Sequence, residues 1–175
     1  MDLVFRTATL EDLPALVALE EQCFTSDRLT PRSFQWMISR AHGQLLVAEQ
    51  QAQVLGYALV LFHRGTSLAR LYSLAIAESA RGLGLGKRLL QRMEACALAH
   101  DCAYLRLEVR TDNPAAIALY ERNGYRRFAL VPDYYQDHAD ALRLEKRILQ
   151  HRETRSIRVP YYQQTTDFTL SLIHI

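Results

Sequence analysis

The chain has 175 residues, of which 49% are hydrophobic and 23% are charged, and its formal net charge at pH 7 is +2. Domains commonly contain about 100 to 150 residues, so this length predicts one hydrophobic core and a short remainder. The composition argues against disordered and fibrous proteins, and the small net charge gives no reason to expect a nucleic-acid partner.

Two further properties concern the compartment and the assembly. The N-terminus MDLVFRTATLEDL lacks the basic and apolar regions of a signal peptide, and no apolar stretch reaches the roughly 18 residues that would span a bilayer. The three cysteines have no metal-type spacing and fit reduced thiols better than a disulfide framework. We therefore expect a cytoplasmic protein with neither a metal ion nor a membrane partner, and a monomer is the simplest assembly.

Hydrophobic periodicity in the first half of the chain predicts four strands and two helices. Thr9 is a suitable N-cap for the first helix, and Thr30 with Pro31 is a suitable start for the second. In chain order, the predicted elements are the strand LVFRTAT, the helices TLEDLPALVALEEQCF and TPRSFQWMISRA, the hairpin strands QLLVAEQ and QVLGYALVLFH, and the strand ARLYSLAIA.

A glycine-rich loop follows the fourth strand and starts a predicted helix at residues 84–100. In AYLRLEVR the side chains alternate, so that Leu107 and Glu108 face opposite sides of a strand. NPAAIALYERNGY predicts a short helix capped by Asn113, and YRRFALV and ALRLEKRIL predict two final strands. This order predicts an α/β domain over residues 1–150, with a mostly antiparallel mixed sheet flanked by helices.

The remaining residues, 151–175, differ in character from the predicted domain. HRETRSIR is polar like a linker, and the apolar and aromatic VPYYQQTTDFTLSLIHI is too short to bury a core of its own. We therefore expect residues 151–175 to be a linker followed by a remnant of a second domain.

The loop ARGLGLGK lies between a strand and a helix, where a bare backbone and a helix N-terminus favour an anion such as phosphate. A dinucleotide fingerprint would need glycine at Lys87 or Leu89, and a P-loop would need glycine at Arg81 and a hydroxyl residue at Arg88. Both nucleotide motifs are excluded by this spacing. A phosphate loop of the form R-x-x-G-x-G and a glycine turn without a ligand remain as alternatives.

Two longer segments carry a family resemblance. LYSLAIAESARGLGLGKRLL resembles the acyl-coenzyme A loop of the GNAT superfamily of N-acetyltransferases. LRLEVRTDNPAAIALYERNGYRR, followed by PDYYQDHADALRLEKRI, is similar to the branch that acetylates the N-terminal alanine of a small-subunit ribosomal protein. The resemblance covers residues 2–149. It implies acetyl-coenzyme A as co-substrate, no metal, and a protein or peptide N-terminus as acceptor, such as that of a ribosomal protein.

The resemblance also implies a role for each matching residue. Glu108 would be the base that deprotonates the amine, and Tyr120 would be the acid that protonates the leaving thiolate. Tyr134 and Tyr135 would line the groove for the acceptor peptide. The coenzyme would be held by Leu74, Ala75, Ile76, Arg81, Gly82, Leu83, Gly84, Leu85, Gly86, Lys87, Asn113 and Tyr120.

Each of these roles has a structural alternative. Glu108 could be a surface carboxylate paired with Arg106 or Arg110 on its own strand, and Tyr120 could be core filler. Asn113 could act as a helix cap alone, and the two loop tyrosines could be ordinary anchors.

Two other functions share the expected fold. The first is acetylation of a small amine, which an acidic groove around Asp133, Asp137 and Asp140 would favour. The second is an acyl-coenzyme A binding module without catalysis, against which the presence of Glu108 and Tyr120 argues. The tail VPYYQQTTDFT resembles the opening of a papain-like bacteriocin-processing peptidase, but no cysteine follows it. We therefore expect no peptidase activity and poor packing of residues 159–175.

Overall fold

The computed structural model describes residues 2–149. The predicted linker and tail at 151–175, including the peptidase-like segment and its expected poor packing at 159–175, lie outside the described residues. Two 3-10 turns occupy Leu10–Asp12 and Glu78–Ala80. The helices are α1 (Leu13–Cys23), α2 (Pro31–Ser39), α3 (Leu85–Ala99) and α4 (Pro114–Arg122), and the strands are β1 (Val4–Thr7), β2 (Gly43–Gln50), β3 (Gln53–Phe62), β4 (Leu68–Ile76), β5 (Tyr104–Arg110), β6 (Arg126–Val131) and β7 (Ala141–Arg147).

The strands of the described residues form one sheet in the order β1-β2-β3-β4-β5-β7-β6. Every neighbouring pair is antiparallel except β4 and β5, which are parallel. The predicted α/β architecture with a mostly antiparallel mixed sheet is therefore confirmed. The parallel pair joins two antiparallel sections, one formed by β1 to β4 and the other by β5 to β7.

The parallel contact between β4 and β5 is short. Its register contains only Leu68↔Tyr104, Ala69↔Leu105 and Arg70↔Arg106. Both strands continue beyond these pairs, β4 to Ile76 and β5 to Arg110. The two strands therefore separate after Arg70, and a gap opens in the middle of the sheet.

Helices cover both faces of the sheet, as two consecutive residues of β3 show. A Cβ added to Gly56 would lie 3.3 Å from Leu89 of α3. The next residue, Tyr57, packs its ring edge-on against Phe34 of α2 and donates a hydrogen bond to Glu20 of α1. Consecutive strand residues point to opposite faces, so α1 and α2 cover one face and α3 covers the other.

The helix starts follow the local chemistry that the sequence indicates. The Thr30 hydroxyl accepts the backbone N–H of Ser33, and the Asn113 side chain accepts that of Ala116. The first helix is the exception, because a 3-10 turn replaces its predicted first turn and α1 begins only at Leu13. Pro14 explains the delay: it has no N–H to donate, and its ring obstructs a helical turn before it.

Arg6 and Asp12 hold the start of α1 against β1. Two guanidinium nitrogens of Arg6 donate to the two Asp12 carboxylate oxygens at 2.8 Å each, and the Thr9 N–H donates to the same carboxylate. The Asp12 side chain is buried. The hydrogen bonds from Arg6 are the largest cause of a lowered pKa at Asp12.

We expect Asp12→Asn to lower the free energy of unfolding by about 1 to 2 kcal/mol at pH 7, because a charge-assisted hydrogen bond is lost. The folded-state pKa of Asp12 lies below the unfolded value of about 3.9, so its contribution is complete above that value and disappears as the pH falls through the folded-state pKa. Urea denaturation should show that the difference in free energy of unfolding between wild type and Asp12→Asn is smaller at pH 3 than at pH 7. The control is Glu11→Gln, a change at the exposed neighbour; an equal loss in both variants would contradict the prediction.

Candidate active site

The gap between β4 and β5 forms the floor of a cavity of about 410 Å³. Its walls come from segment 23–29 after α1, the first turns of α4 and the loop between β6 and β7. Residues far apart in the sequence therefore converge here. The predicted site residues that line the cavity are Leu74, Glu108, Asn113, Tyr120, Tyr134 and Tyr135.

The segment Leu74 to Ile76 presents one edge of β4 to the gap, where the Ile76 carbonyl accepts hydrogen bonds from Arg81 Nε and Cys23 Sγ, both at 3.3 Å. Its other edge pairs with β3 through Ala58↔Leu74, Tyr57↔Ala75 and Gly56↔Ile76. Because β5 has already diverged, no strand of the described residues pairs with the second edge. An extended ligand that carries amide groups could form main-chain hydrogen bonds there.

The glycine loop leads from β4 to the mouth of α3. Gly82 and Gly84 each have φ of +77°, and a Cβ at either position would meet nothing within 4 Å. Backbone conformation therefore requires these glycines, and the space around them is open. The Arg88 N–H makes a hydrogen bond to the Gly84 carbonyl at 3.2 Å, so the N–H groups of residues 85–87 precede the intrahelical ladder and can bind an anion.

The third glycine also has a packing role, which the sequence pattern did not predict. Gly86 lies inside α3, and a Cβ there would come within 3.2 Å of the Leu119 side chain of α4. The missing side chain allows α3 and α4 to approach each other. The motif thus combines a turn at Gly82 and Gly84 with a packing contact at Gly86.

The basic residues near the loop point in different directions. Arg81 folds back over the end of β4, where its Nε donates to the Ile76 carbonyl at 3.3 Å and its Nη2 lies 3.6 Å from the Cys23 Sγ. Arg88 stacks over the Phe5 ring at 5.0 Å. Lys87 is exposed in the first turn of α3. Of these three cations, Lys87 is the one best placed to serve an anion at the helix mouth.

Glu108 pairs with arginines of the neighbouring strands. Its Oε2 accepts from Arg70 Nε at 3.0 Å and Nη2 at 2.9 Å, and its Oε1 lies 3.4 Å from Arg143 Nε. The carboxylate is 12% exposed and lines the cavity. The alternative that paired it with Arg106 or Arg110 is wrong, because those side chains bind other carboxylates.

Arg70 is central to the cavity, although it is not among the site residues predicted from the sequence. Its Nη2 donates to the Tyr134 hydroxyl at 2.9 Å, and its guanidinium carbon lies 5.3 Å from the centre of the Tyr72 ring. Only 7% of Arg70 is exposed. The one signal in the sequence is a charged residue within the otherwise uncharged strand segment LARLYSLAI.

A second carboxylate of the cavity, Glu20, was also missed. Its oxygens accept hydrogen bonds from the Tyr57 hydroxyl and from the Leu29 N–H, the latter at 2.8 Å. The Tyr57 hydroxyl also lies 2.7 Å from Ser73 Oγ on β4. Burial raises the pKa of Glu20. This network ties the segment after α1 to the sheet, so it shapes one wall of the cavity.

Tyr120 and Asn113 bring α4 into the cavity. Burial alone raises the pKa of Tyr120 to about 12, so its hydroxyl is protonated at neutral pH and can donate a proton. The Asn113 carbonyl oxygen accepts the Ala116 N–H at 3.2 Å, which uses that oxygen as a cap while the residue still lines the cavity. The packing and functional interpretations of these two residues are therefore compatible.

The entrance of the cavity is held together by Arg110. Its guanidinium donates to both Asp137 oxygens at 3.0 and 2.6 Å, reaches Ser26 Oγ at 3.3 Å, and stacks on the Tyr135 ring at 4.9 Å. Asp137 and Tyr135 belong to loop 132–140, whereas Ser26 belongs to segment 23–29. Arg110 thus joins the two loops that border the entrance.

The acidic residues of loop 132–140 are not among the residues that line the cavity. Asp133 binds the His138 ring at 2.6 Å, and Asp140 accepts the Asp133 N–H at 3.0 Å. Asp137 pairs with Arg110. All three carboxylates therefore have partners within the loop or at its base.

Across residues 2–149, no three His, Cys, Asp or Glu side chains come close enough together to hold a metal ion. Within the same range, no helix has the length and hydrophobicity that a bilayer crossing requires.

Comparisons with known proteins agree with this geometry. A family model described as "Acetyltransferase (GNAT) family" matches residues 13–125. An uncharacterized N-acetyltransferase of Methanocaldococcus jannaschii is 33% identical over 146 residues, which cover 83% of this chain and 92% of that relative. The match to the family model includes the glycine loop, Glu108 and α4.

Two solved structures share the fold. The ribosomal-protein-S18-alanine N-acetyltransferase from Escherichia coli has a TM-score of 0.77 and 24% identity, over 89% of this chain and 100% of that chain. The ribosomal-protein-alanine N-acetyltransferase from Brucella melitensis has a TM-score of 0.71 and 27% identity, over 82% of this chain and 99% of that chain. The cavity between β4 and β5 is therefore part of an architecture that acetyl-transferring enzymes use.

We expect Arg110→Ala to loosen the entrance, because loop 132–140 loses its charge-assisted hydrogen bonds. A loss of about 1.4 kcal/mol corresponds to a tenfold change, so amide hydrogen exchange at Gln136 and Ala139 should accelerate at least about tenfold. The matched control is Arg127→Ala, which breaks an exposed pair with Glu121 away from the loop. Unchanged exchange at the two loop amides would refute the role of Arg110.

Proposed function

The chain belongs to the GNAT family of N-acetyltransferases, and we propose that it transfers an acetyl group from acetyl-coenzyme A to the N-terminal α-amine of a protein. The observation that carries the proposal is the single cavity in which the free edge of β4, Glu108 and Tyr120 meet. A carboxylate, a neutral phenol and a free main-chain edge are the groups that this transfer needs.

The residues present fit an acyl-coenzyme A. The free edge at Leu74 to Ile76 suits the pantetheine amides, and the N–H groups at the start of α3 suit the pyrophosphate. Open space surrounds Gly82 and Gly84, and Lys87 adds a positive charge at the same helix mouth. When bound, acetyl-coenzyme A would supply the activated thioester on which the amine acts.

The chain itself would handle two protons. A free N-terminal amine has a pKa of about 8 and a lysine amine one of about 10.4, so less basicity is needed to deprotonate the former. Glu108 is the carboxylate that would take this proton. Tyr120, neutral and buried on α4, would give a proton to the departing thiolate.

Three observations favour a protein N-terminus as the acceptor. Tyr134 and Tyr135 form part of the cavity wall, where an extended peptide could bind. The three acids of loop 132–140 that would favour a polyamine each have a hydrogen-bond partner and do not line the cavity. Two similar structures bear the names of enzymes that act on ribosomal-protein alanine. We therefore propose a ribosomal protein as the first acceptor to test, and the cytoplasm as the location.

The test is incubation with labelled acetyl-coenzyme A and a panel of ribosomal proteins, peptides with free N-termini, lysine-containing peptides blocked at the N-terminus, and polyamines. Mass spectrometry should place the acetyl group on a protein or peptide N-terminus. Label on polyamines alone would support the small-amine alternative. Coenzyme binding without any transfer would support the binding module, and either result would overturn the proposal.

We expect Glu108→Gln to reduce kcat by about 10² to 10⁴-fold, because the amide cannot accept the amine proton. Acetyl-coenzyme A binding, measured by calorimetry, should stay within about twofold of wild type. The matched control is Glu145→Gln, which removes a carboxylate that pairs with Arg106 instead of facing the cavity. Wild-type turnover in Glu108→Gln would exclude Glu108 as the base.

Tyr120→Phe should lower kcat by at least about tenfold, since the ring remains but the proton donor is lost. The thermal midpoint should change little, because Phe keeps the packing against Tyr125. Tyr125→Phe is the control, since it alters the adjacent ring, whose hydroxyl binds Glu94. Equal rates for Tyr120→Phe and wild type would show that Tyr120 only fills the core.

A further inference from the structure

Arg70 occupies the point at which β4 and β5 separate, because its pairing with Arg106 is the last of the parallel register. Its side chain is 9% exposed. A guanidinium at this depth is costly unless its N–H groups bind acceptors with good geometry. The acceptors that Arg70 binds therefore indicate which parts of the site it holds in place.

Two partners of Arg70 come from two different parts of the site. Its Nε and Nη2 both donate to Glu108 Oε2 on β5, at 3.0 and 2.9 Å. Its Nη2 also donates to the hydroxyl of Tyr134, on the loop between β6 and β7, at 2.9 Å. One cation from β4 thus connects the proposed base to the proposed acceptor wall across the gap.

The two oxygens of Glu108 are treated differently. Arg70 Nε and Nη2 lie 3.0 and 2.9 Å from Oε2, whereas the contact between Oε1 and Arg143 Nε is longer, at 3.4 Å. A carboxylate oxygen offers about two lone-pair sites. Oε1, the less tightly held oxygen, is therefore the one better suited to accept a proton from an amine.

The groups around Glu108 identify Arg70 as its nearest cation. Arg143 is farther away, and the arginines on β5 itself are bound to other carboxylates. The charged and titratable groups that face Glu108 are Arg70 and Tyr72 on β4, Arg143 on β7, Tyr134 and Tyr135 on loop 132–140, and Arg106 and Arg110 on its own strand.

We infer that Arg70 is a positioning residue for acetyl transfer: it fixes Glu108 through Oε2, leaves Oε1 to accept the proton of the acceptor amine, and holds Tyr134 in the acceptor wall. This inference rests on the proposed role of Glu108 as base.

The test measures kcat and the KM values for Arg70→Met, Arg70→Lys and wild type, with acetyl-coenzyme A and the best acceptor peptide. In Arg70→Met kcat should fall at least about tenfold, because Glu108 and Tyr134 lose the group that holds them, whereas KM for acetyl-coenzyme A should not change. Arg70→Lys keeps a charged donor, so it should recover part of the kcat that is lost in Arg70→Met. Arg106→Met is the matched control, because it breaks an arginine–glutamate pair of the same sheet outside the cavity.

A measurement independent of turnover accompanies the kinetics. Carbon-13 NMR of labelled tyrosine should show the ring signal of Tyr134 changing in Arg70→Met and staying at the wild-type position in Arg106→Met, because Arg70 donates to the Tyr134 hydroxyl. Wild-type kcat and an unchanged Tyr134 signal in Arg70→Met would overturn the inference, even if Glu108→Gln is inactive and the proposed function stands. If Glu108→Gln retains wild-type turnover, the proposed base is wrong and the positioning role falls with it, whatever the NMR spectra show.

Discussion

The separation of β4 and β5 after three residue pairs is the constraint on which the rest of the site depends. If the two strands stayed paired along their whole length, the β5-facing edge of residues 74–76 would be used within the sheet, and no cavity would open. The register of β3 and β4 shifts between Leu59 and Val60, which leaves Tyr72 as an extra residue on β4. Arg70 and Ser73, which lie on either side of this extra residue, both line the cavity. The β4 bulge thus contributes to the placement of both the charged Arg70 and the hydrogen-bonded Ser73 in the cavity wall.

Two carboxylates of the cavity have opposite environments. Glu108 has Arg70 and Arg143 beside it, whereas Glu20 is buried among hydroxyl and main-chain donors, and burial raises its pKa. Their functions differ accordingly: Glu20 ties segment 23–29 to the sheet, and Glu108 faces the space where the proposed chemistry takes place. Carboxylates in contrasting surroundings are a common arrangement where one group must react and another must support the structure. Tyr120 differs from both carboxylates, because burial is the only cause of its raised pKa.

Local sequence signals predicted most of the elements because their causes are local. Thr30 and Asn113 cap α2 and α4 as expected, since a cap needs only an N–H two or three residues away. The alternation around Leu107 predicts a strand with one buried face, and the structure confirms it. The predicted start of α1 was too early, because Pro14 is disfavoured in a helix interior and limits the helix to residues from Leu13 onwards. The packing role of Gly86 could not be predicted in this way, because its neighbour Leu119 lies on another helix and no local pattern reveals that contact.

The sequence by itself determined the fold class and the glycine turn at the mouth of α3. It could do so because periodicity, helix caps and glycine conformations depend on a few adjacent residues. Only the tertiary structure decided the partners of the charges. Arg70 and Glu108 are brought together by strand register, and Arg110 meets Asp137 and Ser26 through two loops that are distant in the chain. An ion pair depends on distances in space, which the order of residues does not state, so the arginine at the centre of the cavity became visible only in the fold.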